Sequence, residues 1–219
     1  MFIGHFAPAF AAAAVSPKAP KLGALFIAAQ LVDWAFFAFA AVGIEKMRID
    51  PNATVMVPFD LYHMPYTHSL LGTAVWAAGF AVFMWFRYRE LAAGVLAGLV
   101  VASHWVLDYL THRPDLTIAG SEPFLGLGLW NYPFIAIPLE LAITIGAFIW
   151  YVRRTRGPVL PPYILLGVLL IFQAVNWFGP VPQQVSLGLY FQALLAFGIA
   201  TAFAFWVGNN RKHRRERDW

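Results

Sequence analysis

The sequence predicts an all-α, polytopic membrane protein, and three observations lead to that prediction. Of 219 residues, 60% are hydrophobic and only 12% are charged, whereas a soluble domain carries about 25% charged residues. Six apolar stretches come close to the roughly 20 residues that a helix needs to cross a bilayer core. None of them alternates polar and apolar residues as a half-buried strand does. The composition therefore excludes a soluble globular domain, a disordered chain and, since Cys is absent, a disulfide scaffold or a thiolate metal site.

We expect six long spans preceded by a short helix. The predicted spans are 22–44, 68–86, 91–111, 132–152, 163–178 and 185–207. The shorter apolar stretch 2–15 has no basic residue before it, unlike a signal peptide, and Pro17 ends it. Thr67 is expected to cap the second span, with His68 in the first helical turn. We expect one transmembrane domain over 1–219, with metal-site helices in 1–152, two further spans in 153–208 and a basic tail in 209–219.

Basic residues collect at alternate span ends and predict the orientation. The groups are Lys18 and Lys21, Arg87 and Arg89, Arg153, Arg154 and Arg156, and the tail 211–217, which contains Arg215, Glu216 and Arg217. The positive-inside rule places all of them in the cytoplasm of a bacterial cytoplasmic membrane, with the loops 45–67 and 112–131 outside. The tail is typical of a segment that contacts anionic lipid, and we expect no nucleic-acid partner. Nothing in the sequence indicates an oligomeric state.

Ionisable side chains inside the spans are costly, and here they fall at similar depths. Four of them lie 12–15 residues from a basic anchor, which is about 18–22 Å at the helical rise: His5, Asp33, His104 and Glu140. His68 and Asp108 lie 19 residues from theirs, or about 28 Å. Five helices therefore bring His or carboxylate groups into the same half of the bilayer.

The third span contains a local pattern with the spacing of metal ligands. His104, Asp108 and His112 follow i, i+4, i+8 and so lie on one helix face. A polar stripe toward a water-filled cavity explains one such side chain, whereas three in register, matched by carboxylates on other helices, favour a metal site. The predicted ligands are His5, Asp33, His68, His104, Asp108 and His112. Imidazole and carboxylate without thiolate suit Zn²⁺, and Mn²⁺ or Fe²⁺ is also compatible.

Other polar side chains receive predicted roles around this site. Glu140 is the candidate general base, with Asp108 as a second catalytic candidate; the alternative for Glu140 is a hydrogen bond that orients a ligand His. Asp33 is a ligand or, alternatively, a structural hydrogen-bonding group between helices. His63 and Arg113 are predicted at the substrate mouth, where Arg113 meets a phosphate or carboxylate. The alternatives are a simple interfacial His and a snorkelling Arg.

Three segments resemble a known family. They are residues 66–71 (YTHSLL), Asp33 in the preceding span, and residues 103–112 (SHWVLDYLTH). Together they resemble the YdjM-like family of membrane-bound, metal-dependent hydrolases, and the His-x-x-x-Asp helix also resembles part of the zinc-dependent phospholipase C pattern. The resemblance covers about the first half of the chain, through Asn131. It departs at 64–66 (MPY), where the family often has Arg-Gly, and at Ala35 and Phe36, where a second Asp is usual.

The resemblance implies a hydrolase acting on a lipid-like or membrane-accessible substrate. With the polar pattern, it predicts cleavage of an ester, phosphoester or amide by a metal-activated water in the outer half of the bilayer. A proton- or metal-coupled transporter is the first alternative, but its path needs polar groups in the inner half, where only Gln30 is near. A haem- or cofactor-binding protein is the second, with His68 and His104 as axial ligands. For the last two spans, a lipid-facing wall and a partner surface both remain open.

Overall fold

The computed structural model describes residues 1–214, and within that range the chain forms a bundle of α-helices. After a 3₁₀ turn at Ile3–Phe6, the helices are α1 (Ala7–Val15), α2 (Leu22–Ala41), α3 (Leu70–Tyr88), α4 (Leu91–Thr111), α5 (Pro133–Arg154), α6 (Leu160–Phe178) and α7 (Leu187–Asn210). The predicted all-α fold class is therefore confirmed. Arg215, Glu216 and Arg217 of the predicted tail lie outside the described residues.

Helices α2 to α7 are each long and apolar enough to cross a membrane. Their ends agree with the predicted spans to within a few residues, and α4 has the predicted bounds. Helix α2 ends at Ala41, three residues before the predicted end of the first span. Gly43 adopts a left-handed φ of 79° there, which is a common way for a glycine to end a helix. Helix α6 begins at Leu160, three residues before the predicted start of the fifth span, because proline is accepted in the first helical turn.

Short strands mark the two ends of the bundle. Strands β1 (Lys46–Ile49) and β2 (Phe59–His63) form an antiparallel hairpin, and we call this side the hairpin end. The loop 112–131 packs there too, since Trp130 O accepts from Met56 N and Thr117 O accepts from Leu70 N. At the opposite side, the basic end, β3 (Thr155–Arg156) pairs with β4 (Lys212–His213).

The short helix α1 runs through the interior of the bundle. It contacts α2, α4 and α5, and its small alanine side chains are largely buried, which suits a helix that has no polar face. Below His5, toward the basic end, Phe6 stacks on Phe26 with ring centroids 4.4 Å apart. Phe10 meets the edges of Phe26 and Phe148. An apolar core therefore fills the space between the residues around His5 and the basic end.

Candidate metal centre

Five ionisable side chains from four chain segments meet in the half of the bundle nearer the hairpin end. They are His5 of the 3₁₀ turn, Asp33 of α2, His68 of the loop before α3, and His104 and Asp108 of α4. We call them the His/Asp cluster. Four of its residues are at most 3% exposed, whereas the Asp33 side chain is 19% exposed. All five were predicted as ligands from the sequence.

The carboxylates lie between the imidazoles. Asp108 Oδ1 is 3.0 Å from His5 Nε2, and Asp108 Oδ2 is 3.1 Å from His104 Nε2 and 3.7 Å from His68 Nε2. Asp33 Oδ1 is 3.3 Å from His68 Nε2 and 3.6 Å from His104 Nε2. The Met1 amino nitrogen also lies 3.2 Å from Asp108 Oδ1. Opposite charges and lone pairs are thus concentrated at one buried point.

Two sets of three side chains could each hold a metal ion. One is His5, His104 and Asp108, and the other is Asp33, His68 and His104; within each set the candidate ligand atoms all lie within 4.8 Å of one another. His104 belongs to both sets. The stacking of His5 on His104, with centroids 3.8 Å apart and ring planes 5° from parallel, keeps the first set together.

The hydrogen bond made by the other nitrogen of His104 decides which way its lone pair faces. Nδ1 lies 2.9 Å from the carbonyl oxygen of Ala29, and because a carbonyl only accepts, Nδ1 carries a proton. In the neutral ring the Nε2 lone pair then faces the Asp33 and Asp108 carboxylates. Within the described chain, Nε2 of His104 makes no hydrogen bond of acceptable geometry, although Asp108 Oδ2 lies 3.1 Å away. A lone pair facing carboxylates calls for a proton or a cation between them.

The same reasoning applies to His68, through a residue that the sequence analysis missed. Glu45 is buried, and its Oε2 accepts from Thr67 Oγ1 at 2.6 Å. Having donated there, Thr67 Oγ1 accepts from His68 Nδ1 at 2.8 Å. The Nε2 lone pair of neutral His68 therefore also faces Asp33. Metal-ligating histidines commonly have such a partner on their other nitrogen.

These contacts correct the predicted cap of α3. Glu45 Oε1 accepts from Tyr66 N at 2.9 Å and from Thr67 N at 3.0 Å, so Thr67 is held by the loop after α2. The cap is Ser69, whose Oγ accepts from Gly72 N at 2.9 Å. His68 accordingly precedes the helix rather than lying in its first turn. An acidic residue after an apolar span was the only signal for Glu45, and no spacing connects it to residue 67.

His112 lies beside the cluster but belongs to neither set of three. Its Nε2 is 3.6 Å from Asp108 Oδ1, and its Nδ1 is 3.0 Å from Asp115 Oδ1. The ring also lies 4.4 Å from the Trp130 ring. Asp115 was not singled out in the sequence. The structure therefore places predicted ligand His112 at the edge of the site, between Asp108 and the loop 112–131.

The two residues predicted at the substrate mouth differ in their surroundings. His63 is exposed in β2, away from the cluster contacts. Arg113 is bound to the buried Asp60 and lies 3.6 Å from Asp115, and Arg48 also holds Asp60 at 2.6 Å. The structure thus uses the Arg113 guanidinium to join the hairpin to the end of α4, a long-range pairing that sequence spacing does not reveal.

Glu140 lies apart from the cluster, although the sequence analysis predicts it as the general base. Its Oε1 accepts from Phe2 N at 2.7 Å and from Gly4 N at 3.0 Å. Its Oε2 accepts from Gln173 Nε2 at 3.3 Å. Both carboxylate oxygens are therefore engaged, and these contacts favour the alternative, an orienting role.

Searches against protein-family models, curated proteins and solved structures find no match for this chain. The resemblance to YdjM-like hydrolases accordingly stays an expectation from residues 33, 66–71 and 103–112.

Proposed function

We propose that the protein is a membrane hydrolase that uses a metal ion, with Zn²⁺ as the preferred ion, held by the His/Asp cluster. The observation that carries the proposal is the orientation of His68 and His104, whose Nε2 lone pairs face the two buried carboxylates. A cation between these groups satisfies all of them at once. Imidazole and carboxylate are suitable donors for Zn²⁺, and for Mn²⁺ or Fe²⁺.

The chain's own residues have separable tasks in such a reaction. When bound, Zn²⁺ supplies a Lewis acid and activates water for attack. Asp108 holds His5 and His104 together, and Asp33, the most exposed member of the cluster, forms its accessible side. Phe36 meets the His68 ring edge-on at 5.3 Å and keeps that side of the cluster apolar, which strengthens electrostatic interactions there.

The packing below the cluster favours a hydrolase over a transporter. A transport path has to continue toward the basic end, but the buried rings of Phe6, Phe10 and Phe26 pack against one another there. A site that is partly exposed at Asp33 and packed toward the basic end suits a reaction better than passage. Haem ligation by His68 and His104 is disfavoured, because Asp33 Oδ1 lies within 3.6 Å of both Nε2 atoms and occupies the space between them.

The position of the cluster supports a proposal for the substrate and the location. Since it is carried by helices long enough to cross a membrane, we propose a lipid-like or membrane-accessible ester, phosphoester or amide. The positive-inside rule places the basic end in the cytoplasm and the cluster toward the extracytoplasmic side of a bacterial cytoplasmic membrane. Basic residues at that end, such as Lys21 and Lys212, are placed to meet anionic lipid.

Elemental analysis of the purified full-length chain tests this proposal. We expect one or two Zn²⁺ per chain in the wild type, background metal in His104→Ala, and wild-type metal in the control His63→Ala, because His63 is exposed and outside the cluster. Hydrolysis of a panel of phospholipids and acyl esters should be lost in His104→Ala. A wild-type protein without metal that gains no thermal stability from added Zn²⁺, together with a fully active His104→Ala, would overturn the proposal.

A further inference from the structure

The turn that carries His5 has main-chain groups that its own helix cannot satisfy. The first N–H groups of a helix have no intrahelical acceptor, and here they belong to Phe2, Ile3 and Gly4. Ile3 and Gly4 are buried. An unpaired N–H group away from water costs several kcal/mol in hydrocarbon. The turn therefore depends on acceptors from elsewhere in the chain.

Those acceptors come from α5 and α6. Glu140 Oε1 accepts hydrogen bonds from the N–H groups of Phe2 and Gly4, and Gln173 Oε1 accepts one from Ile3 N at 3.2 Å. Three consecutive N–H groups are thus bound by two buried side chains. A carboxylate at the positive end of a helix is also electrostatically favourable.

Two further amide contacts complete this arrangement. Gln173 Nε2 donates to Glu140 Oε2 at 3.3 Å, so the two acceptors hold each other. Gln30 of α2 donates from Nε2 to the Phe2 carbonyl oxygen at 3.3 Å. The clamp, by which we mean Glu140, Gln173 and Gln30, therefore holds the turn from three helices.

The main chain at residue 4 packs between Met1 and Glu140. A Cβ atom on Gly4 would lie 3.4 Å from Glu140 Cγ and 2.6 Å from Met1 Sδ. The second distance is too short for any real Cβ contact unless the Met1 side chain shifts. The distance to Glu140 Cγ is an ordinary van der Waals contact, so it is the Met1 side chain that limits the space for a larger residue at position 4.

The ring of His5 depends on this main-chain placement. Its Nε2 lies 3.0 Å from Asp108 Oδ1 and the ring stacks on His104, while its Nδ1 has no hydrogen-bond partner within the described chain. Unlike His68 and His104, the ring is therefore not oriented by a hydrogen bond at its second nitrogen. Its position follows from that of residues 2–4.

We propose that Glu140 and Gln173 are positioning residues: they bind the N–H groups of residues 2–4 and thereby set His5 against His104 and Asp108. This assignment rests on the proposed metal site for its functional meaning. It gives α5 and α6, which contribute no residue to the His/Asp cluster, a definite task. It also replaces the general-base role predicted for Glu140.

Cobalt binding by the full chain in detergent tests the proposal, with Co²⁺ as a coloured substitute for Zn²⁺. We expect Glu140→Leu to weaken Co²⁺ binding by roughly 10–100-fold, the usual loss when a group supporting a ligand is removed, and to give the absorption spectrum of His5→Ala. Glu140→Gln keeps an acceptor oxygen and should restore most of the affinity. Thr144→Val is the matched control, because Thr144 is also buried, lies one turn along α5 and, among the described residues, donates only to Glu140 O.

The double variant separates positioning from other roles. If Glu140 acts through His5, Glu140→Leu causes no further loss of Co²⁺ affinity in a His5→Ala background. A double variant whose loss of Co²⁺ affinity equals the product of the two single-variant losses would overturn the proposal. So would a Glu140→Leu variant that loses activity while its Co²⁺ affinity and spectrum stay those of the wild type, since that pattern belongs to a catalytic residue.

Hydrogen exchange gives a readout that needs no metal. We expect faster amide exchange in residues 2–6 of Glu140→Leu and Gln173→Leu than in wild type or Thr144→Val. Equal exchange in all four proteins would refute the clamp, whatever the metal content. A wild type that binds no Co²⁺ but shows the expected exchange pattern would instead refute the proposed metal site and leave the clamp standing.

Discussion

Two buried polar centres lie at opposite ends of the bundle, and they are satisfied in different ways. At the basic end, Arg211 is 8% exposed, and its guanidinium donates five hydrogen bonds. The acceptors are Thr155 Oγ1, Thr155 O, Val152 O, Gly157 O and Pro158 O. At the hairpin end, the His/Asp cluster leaves His5 Nδ1 and His104 Nε2 without hydrogen-bond partners within the described chain.

A buried charge alone does not indicate function. Arg211 binds Val152 O, which the last turn of α5 cannot pair within its own helix, and three carbonyl groups of the segment that follows α5. Burial lowers the pKa of Arg211 from its ordinary value, yet an arginine side chain stays charged. Its five donors are matched by five acceptors, so this centre needs nothing more. The cluster contains two ring nitrogens without a hydrogen bond within the described chain, and these nitrogens point to a ligand.

Replacing Asp108 by asparagine should produce the largest effect. Asp108 lies between His5 and His104, and its replacement removes a negative charge and a metal-binding oxygen together. We expect bound metal to fall to background in elemental analysis and added Zn²⁺ to lose its stabilising effect on thermal unfolding. Asp50→Asn is the matched control, because Asp50 lies in the turn after β1 and, within the described residues, its carboxylate accepts only from Asn52 N. Wild-type metal content in Asp108→Asn would remove the main distinction between the two centres.

Replacing Arg211 by methionine should lower stability without touching metal binding. The change leaves five acceptors at the basic end without their donor, and a buried hydrogen-bonding group left unsatisfied costs about 1–3 kcal/mol. We expect a lower midpoint of thermal unfolding and an unchanged metal content per folded chain, with exposed Lys212→Met as the control. If metal is lost from the folded protein, the two centres are coupled and the comparison fails.

The parts of this molecule that the sequence predicted are those where a charge interrupts an apolar pattern. The spans follow from hydropathy, and His104 and Asp108 stand out by their i, i+4 spacing in an apolar helix. The numbers of residues that separate His5 and Asp33 from their basic anchors predict similar depths in the membrane. In the structure both side chains lie beside His104.

The parts that the sequence did not predict depend on long-range contacts of loops and neutral side chains. Glu45 and Thr67 meet across 22 positions, and Asp60 meets Arg113 across 53, with no periodic spacing to indicate either pair. Gln173 carries no charge, so nothing marked it as a partner of Glu140. The two-residue shift of the α3 cap, from Thr67 to Ser69, has a similar cause, because Thr and Ser both cap helices well and the long-range contact with Glu45 engages Thr67.

Replacing Thr67 by valine should have a smaller, graded effect. Valine keeps the shape of threonine but removes the oxygen that links His68 to Glu45. We expect Zn²⁺ affinity in a competition titration to fall roughly 10–100-fold, as when other supporting groups of metal ligands are lost. Thr54→Val, where the hydroxyl contacts only the Val57 main chain, should leave affinity unchanged. An unaltered affinity in Thr67→Val would mean that His68 needs no support or is not a ligand.

Replacing Arg113 by alanine should have the smallest effect, and it tests whether the hairpin end only supports the cluster. The Arg113 side chain is 30% exposed, and Arg48 remains to pair with Asp60, so we expect a loss of at most about 1 kcal/mol in unfolding free energy. A role in binding substrate predicts the opposite pattern: unchanged stability with a KM raised about 10-fold, which corresponds to roughly 1.4 kcal/mol. Arg113→Lys sharpens the choice, since lysine keeps the charge but loses the planar two-nitrogen contact.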